Sequence, residues 1–361
     1  MIRQLLQFAS KSSVKRAGWR RAARFGAAGA GLLLAGAGAG WAGVALWRRL
    51  GMRRQDVRGQ VVLITGSSRG LGLALAREFA RLGARLVICG RGEESLQAAR
   101  EELEQGGAEV LAIRCDVTDR EQVRRMVAEA NGRFGRIDIL VTNAGVIQVG
   151  PVASQTMKDF QEALDVIFWG AVYPTLTVLP QMVERRRGRI AHIASIGGKV
   201  AVPHMLPYDC AKFAVVAFSE GLRAELAKDG VKVTTVVPGL MRTGSHLNAT
   251  FKGDYRAEYA WFSLGATMPM LSMDARRAAR KIAAAVRAGR AEIILTPHAK
   301  LLAAFHGLFP GLTAGALGAL NRCLPTGTAA ERHPGSESRP LEGKSVVTRL
   351  GPKAAVRFKQ V

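Results

Sequence analysis

Tyr208 and Lys212 stand four residues apart in Tyr208-Asp209-Cys210-Ala211-Lys212, and Ser195 lies thirteen residues upstream of the tyrosine. Helix positions i and i+4 share one face, so the spacing predicts a phenol beside an ammonium. An unperturbed tyrosine titrates near pH ~10 and is a poor proton donor or acceptor at neutral pH. A neighbouring positive charge favours the phenolate and draws that pKa toward the working range. Ser195 ends the apolar run Ile190-Ala191-His192-Ile193-Ala194, which predicts a strand with the hydroxyl emerging at its carboxyl end. Alone, the Tyr–Lys pair reads as readily as two residues on a solvated helix face.

A second motif supplies the context. The β-branched apolar run Val61-Val62-Leu63-Ile64 leads into Thr65-Gly66-Ser67-Ser68-Arg69-Gly70-Leu71-Gly72 and then a helical pattern through Leu82. Strand, glycine-rich turn and helix follow in that order. Glycines in such a turn let backbone N–H groups approach a pyrophosphate at the positive end of the helix.

Together with Asn143-Ala144-Gly145 and Pro238-Gly239, these motifs resemble the short-chain dehydrogenase/reductase family in order and spacing, over about residues 57 to 295. The resemblance implies an α/β fold: a single Rossmann-type domain with a doubly wound, seven-stranded parallel sheet. It also implies NAD(P)-dependent interconversion of a carbonyl and an alcohol. Carried over residue by residue, it makes Tyr208 the proton donor to the carbonyl oxygen. Lys212 then lowers the phenol's pKa and contacts the nicotinamide ribose, and Ser195 bonds the oxygen where charge develops. It further implies cofactor contacts at Gly66, Ser68, Arg69, Gly70, Leu71 and Gly72, at Asp116 and Val117 after the third strand, at Asn143, Ala144 and Gly145, and at Pro238, Gly239 and Thr243.

The pattern of the chain is compatible without the resemblance. Apolar runs at 61–64, 85–89, 109–113, 137–141, 190–194, 231–237 and 292–295 alternate with helical patterns at 71–82, 93–105, 119–132, 155–184, 208–228 and 274–288. Alternating strand and helix predicts a parallel sheet covered on both faces. Charge then bears on the cofactor. Versions of this fold that prefer NAD place an Asp or Glu at the end of the second strand to hold the ribose 2′-OH. Here that strand leads into Gly90-Arg91-Gly92, with no acid before Glu93, and Arg69 adds a second guanidinium. Two arginines and no carboxylate suit a 2′-phosphate, so NADP(H) is expected over NAD(H). One position departs from the family pattern: Ile167 stands where many members keep an Asn whose inferred job is to hold a water for proton relay. With Ile167 the relay must be rebuilt from backbone carbonyls or run slowly. This residue is the argument for an alternative reading, a weakly active or non-catalytic NADP-binding protein that senses cofactor or holds a partner.

The two ends carry the charge. Residues 1–58 hold twelve Lys or Arg and one acid, in a chain of net charge +24. No aromatic residues interleave with these bases in a stacking pattern, which argues against nucleic acid. An adjoining apolar run argues for anionic lipid. After the basic segment 1–24, residues 25–47 are uncharged, and at ~1.5 Å per residue they would cross a ~30 Å hydrocarbon core. With eight Ala and seven Gly the run is only modestly hydrophobic, so a spanning helix and an interfacial one both stay open. An organellar transit peptide ranks behind these. Beyond the domain, 296–325 is an apolar extension broken at Pro310. It reads as two short helices at a membrane interface or over the substrate cleft, or as packing against the domain or a second copy in a homo-oligomer. The tail 326–361 is expected to be disordered. Four singly placed cysteines suit a reducing compartment, and neither they nor the six histidines show metal-ligand spacing. His192 reads as a core residue. The Met-, Tyr-, Trp- and Phe-containing loop 240–273 suggests an apolar lid. The expectation is therefore a membrane-associated oxidoreductase, its catalytic domain cytosolic, acting on a lipophilic ketone or alcohol.

Overall fold

Seven short runs dominated by Val, Ile and Leu have nowhere to go but the interior, because each must bury both of its faces. The computed structural model describes residues 55–268, 271–338 and 350–360; the basic segment 1–24 and the apolar run 25–47 lie outside them. The runs form strands β1 Val61–Ile64, β2 Arg85–Gly90, β3 Val110–Arg114, β4 Ile139–Thr142, β5 Gly188–Ile193, β6 Val231–Val237 and β7 Glu292–Ile294. They join in one parallel sheet in the order β7-β6-β5-β4-β1-β2-β3. The doubly wound seven-stranded sheet expected from the sequence is present.

Helices cover both faces. Helices α1 Gly70–Arg81, α2 Glu93–Gln105 and α7 Ala275–Arg287 pack apolar residues against one side. On the other lie α3 Arg120–Phe134, the long α4 Met157–Glu184 and α5 Leu206–Glu225. Helix α4 is long and apolar enough to cross a membrane by length and composition, but half of its apolar stretch is buried in the domain. The chain reverses its winding direction between β1 and β4, which opens a crevice at the carboxyl ends of these strands.

Two elements depart from the sequence reading, and the two-helix extension follows it. The loop 240–273 contains a helix, α6 Tyr255–Thr267, capped by the Asp254 carboxylate. The extension past β7 folds as two helices, α8 Pro297–Leu308 and α9 Pro310–Asn321, bent by 120° at Phe309. The second departure corrects the expectation of a disordered tail from 326 onward. His333–Pro334 pairs with Thr250–Phe251, and residues Leu350–Arg357 form a helix, α10. The polar composition of the tail hid two anchors. Arg332 pairs with buried Asp159 at 2.7 Å, and the Phe358 ring sits 1% exposed in the α1–α2 core.

Candidate active site

The first glycine-rich element sets the geometry. Gly70 adopts φ +60°, in the left-handed region that costs other residues strain, and a Cβ at Gly72 would lie 2.2 Å from the Gly66 carbonyl. No side chain fits between the turn and α1. Three neighbours fasten the turn. Thr65 Oγ1 accepts from the Asn143 and Ala144 N–H groups at 2.9 and 3.1 Å, and Asn143 Nδ2 donates to the Thr65 and Gly66 carbonyls at 3.0 and 2.9 Å. Ser67 Oγ donates to the Ile64 carbonyl at 2.6 Å and accepts from the Cys89 N–H at 3.0 Å, tying the turn to β2. Asn143 thus holds β1 to β4 as well as facing the cleft. The fastening roles of Thr65 and Ser67 were not legible in the sequence, because nothing in a motif says which hydroxyl will face which carbonyl.

At the other end of the cleft, Ser195 leaves β5 and caps a single 3₁₀ turn, its Oγ accepting from the Gly197 N–H at 3.1 Å. Tyr208 and Lys212 share the inner face of α5, with Nζ 5.6 Å from the phenol ring centre. Lys212 is buried and donates to the Ile193 carbonyl at 2.7 Å. Burial pushes the Tyr208 phenol up to about 12; the Ser195 hydroxyl pulls it back and the Asp209 charge adds to the rise. Burial also pushes Lys212 down to about 8. The lowering of the phenol's pKa by Lys212 that the spacing predicts is absent from this pocket, where Ser195 alone pulls the phenol down. Burial acts against the charged form of both groups at once.

Ile167 explains the lysine's partner. It lies in a π-helical segment of α4, Leu164–Trp169, 2% exposed. Its Cγ1 and Lys212 Nζ both lie within 4 Å of where a Gly145 Cβ would be. A side chain that cannot hydrogen-bond packs near Gly145 here, and the ammonium is held by a backbone carbonyl at the end of β5.

These elements surround a cavity of about 720 Å³, within the range of small-molecule sites. Seventeen of the eighteen residues expected at the site line it: Gly66, Ser68, Arg69, Gly70, Leu71, Arg91, Asp116, Val117, Asn143, Ala144, Gly145, Ser195, Tyr208, Lys212, Pro238, Gly239 and Thr243; Gly72, packed against the Gly66 carbonyl, does not. Arg69 and Arg91 both line the cavity, near enough for the charge of one to act on the other. Burial and then repulsion from Arg91 hold the Arg69 guanidinium below its ordinary pKa. Beyond Tyr208 the walls become apolar, with Met205, Trp261, Phe262, Leu271 and Leu302. Trp261 is fixed by its Nε1–H donating to Glu258 Oε2 at 2.6 Å, while Glu258 Oε1 shares a 2.7 Å hydrogen bond with His204 Nδ1. The sequence also gave no sign of Asp209. Its Oδ2 accepts from the Val202 N–H at 2.6 Å, its Oδ1 has no partner among the described residues, and burial pushes its carboxyl up to about 8. His192, by contrast, is a core residue as expected, fully buried against Thr175.

A family model described as short chain dehydrogenase matches residues 60–251. The chain belongs to the short chain dehydrogenase family. A Streptomyces coelicolor protein named for ketoacyl reduction is 38% identical over 194 residues, 53% of this chain and 74% of that one. The 11-beta-hydroxysteroid dehydrogenase A of Sesamum indicum is 38% identical over 191 residues, 52% and 54% of the two chains. Dehydrogenase/reductase SDR family member 7B of Mus musculus is 34% identical over 197 residues, 54% and 61%. Among solved structures, a variant actinorhodin polyketide ketoreductase with NADPH superposes with a TM-score of 0.59 at 30% identity, covering 66% of this chain and 95% of that one. L-Sorbose reductase from Gluconobacter frateurii with NADPH and L-sorbose gives 0.60 at 26% identity, covering 67% and 97%. This short chain dehydrogenase is an oxidoreductase acting between CH–OH and C=O. A nicotinamide cofactor, held by the glycine turn and the residues of the cleft around it, would supply or accept the hydride. Ser195, Tyr208 and Lys212 line one cleft, an arrangement that can hold a carbonyl oxygen and move a proton to it.

Proposed function

We propose that the enzyme is NADP(H)-dependent and interconverts a lipophilic ketone and its secondary alcohol at a membrane surface, with the catalytic domain on the cytosolic side. The observation that carries the cofactor preference is the convergence of Arg69 and Arg91 on one end of the cleft. No carboxylate stands between the end of β2 and Glu93 to compete for a ribose hydroxyl, and a guanidinium binds a phosphate in a bidentate fork. Relatives solved with NADPH, a ketoreductase and a sugar reductase, agree with this reading.

The substrate class follows from the opposite wall. Trp261, Phe262, Leu271 and Leu302 give a substrate few polar partners, so apolar area must supply its binding. Membrane association is supported by the α8–α9 hairpin, on which Leu301, Leu308 and Leu312 are 72%, 73% and 65% exposed. Residues 293–330 contain no acid, while Lys300 and Arg322 supply positive charge. Ala299 and Leu302 of the same hairpin line the cleft, so the apolar surface continues into the active site. Exposed apolar area of this kind, rimmed by bases, suits anionic lipid. The four free cysteines and the need for a cofactor supply favour the cytosolic side.

Two measurements test the proposal. Purified full-length protein with NADPH should reduce ketones with kcat/KM rising as the alkyl chain lengthens; a preference for short polar ketones would overturn the substrate class. Replacing Arg69 and Arg91 together by Ala should weaken NADPH binding at least tenfold per arginine, since a charge-assisted contact contributes roughly 1.5–3 kcal/mol, while sparing NADH. Equal losses for both cofactors would overturn the 2′-phosphate reading.

A further inference from the structure

The last residue of helix α10 and the residue after it meet α1, the helix that begins at the glycine turn. Their anchorage is strong. The Phe358 ring is buried in the core beneath α1, Arg77 stacks over it at 5.6 Å and donates to the Arg357 carbonyl at 3.0 Å, and Lys359 Nζ reaches the Ala98 carbonyl at 2.6 Å and Glu102 at 3.1 Å. Thus fixed, the segment meets the turn directly, because the Gly70 N–H donates to the Phe358 carbonyl at 2.8 Å. One donor of the helix terminus, where an anion would bind, is therefore committed to protein.

Gln360 restores a donor at the same place. Its main-chain carbonyl and its Oε1 both accept from Asn248 Nδ2, at 2.9 and 2.7 Å. That orients the carboxamide so that its Nε2 faces the turn, 2.5 Å from the position a Cβ on Gly70 would take. The NH₂ group has no hydrogen-bond partner among the described residues, and Gln360 lines the cleft. Asn248 completes the link, its Oδ1 accepting from Arg69 Nη1 at 2.8 Å. One connected set, Gln360–Asn248–Arg69, thus spans from the tail to an arginine proposed to read the 2′-phosphate.

We infer that Gln360 is a cofactor-positioning residue: the terminal segment straps the open side of the dinucleotide cleft, the Gln360 carboxamide replaces the donor that Gly70 gives up, and Asn248 aims Arg69. The inference rests on the cofactor site proposed above. A strap that merely plugged the cleft would have to leave for the cofactor to bind. Its anchors, though, are Arg77 on α1 and Ala98 and Glu102 on α2, none of which lines the cavity, and the cavity persists with Gln360 in its wall. Only glycine at 70 allows the approach, since any Cβ would meet the carboxamide.

The test uses the full chain and titrates NADPH and NADH separately by quenching of tryptophan fluorescence. Gln360→Ala should weaken both cofactors about tenfold to a hundredfold, as expected for one hydrogen bond to a charged phosphate, with the cofactor KM rising more than kcat falls. Gln360→Glu should weaken both further, because its carboxylate faces the phosphates. Asn248→Ala should cost NADPH more than NADH, since it releases Arg69. Unchanged affinity in Gln360→Ala would overturn the inference, and so would tighter affinity, which would make the strap a plug. Failure of the NADP(H) preference alone reads differently: wild-type protein would then bind NADH as well as NADPH, while the Gln360→Ala loss remained on both.

Discussion

At the scale of single residues, solvation decides how the site behaves. Four positions on, Lys212 shares a helix face with Tyr208, so the sequence correctly brings phenol and ammonium together. It does not reveal that both would be buried, with the phenol pushed up to about 12 and the ammonium down to about 8. A phenol this high holds its proton throughout the neutral range, which suits a donor to a carbonyl oxygen. Tyr208→Phe is expected to retain cofactor affinity by fluorescence titration and to lose at least a hundredfold in turnover, the lower bound for removing a general acid; near-normal kcat would refute its role. Asp209 gives a pH prediction. Its folded pKa of about 8 lies above the ~3.9 of an unfolded Asp, so the native state keeps a proton that the unfolded chain has lost. Its contribution to stability is present below pH ~3.9 and is lost as pH rises through 8. Melting temperature should therefore fall between pH 5 and 8, and Asp209→Asn should flatten that fall. An unaltered slope in the variant would show that other groups cause it.

At the scale of elements, periodicity carried the fold as far as packing follows local pattern. All seven strands and the helices between them were legible, because each buried run is bounded by turn residues and alternates with a 3.6-residue pattern. The misses share a cause. Helix α6 and the tail are held by partners distant in sequence, which no window of adjacent residues can reveal. Asp159 shows how such a partner works. It is fully buried, and burial pushes its carboxyl up. Hydrogen bonds from Lys252, Thr156 and Arg332 outweigh that and hold the pKa at about 2. Lys252 lies 2.6 Å away and is itself 3% exposed. Lys252→Met should therefore destabilise the protein by roughly 3 kcal/mol, the lower end of the cost of stranding a buried charge, because Arg332 still attends Asp159. A urea midpoint equal to wild type would show that the cluster only fills space. The Asp159 contribution runs opposite to that of Asp209: it is present above pH ~3.9 and lost as pH falls toward 2.

At the scale of the whole molecule, the problem is how a strongly basic chain presents its cleft to a lipophilic substrate. The domain contributes an apolar hairpin beside the cleft mouth, and the sequence contributes a 23-residue uncharged run at 25–47 with basic flanks. The two should divide the work. The amino-terminal run should hold the protein at the membrane, and the hairpin should set where substrate enters. Seven bases precede the run and five follow it before the domain, so a spanning helix with a cytosolic domain would set the larger basic cluster outside, against the usual bias. An interfacial helix avoids that conflict. Release of the full-length protein by high salt or alkaline pH is accordingly expected; resistance to both would establish a spanning segment instead, and recovery in the soluble fraction at physiological salt would remove both. The hairpin is tested independently by Leu308→Glu with Leu312→Glu, two exposed positions whose charge the fold tolerates but a bilayer does not. Partitioning through residues 25–47 should persist in this variant. KM should rise severalfold for a long-chain ketone delivered in vesicles and stay level for a short soluble ketone, since only the former must leave lipid beside the cleft. An equal change for both substrates would mean that the hairpin shapes the active site rather than its entrance.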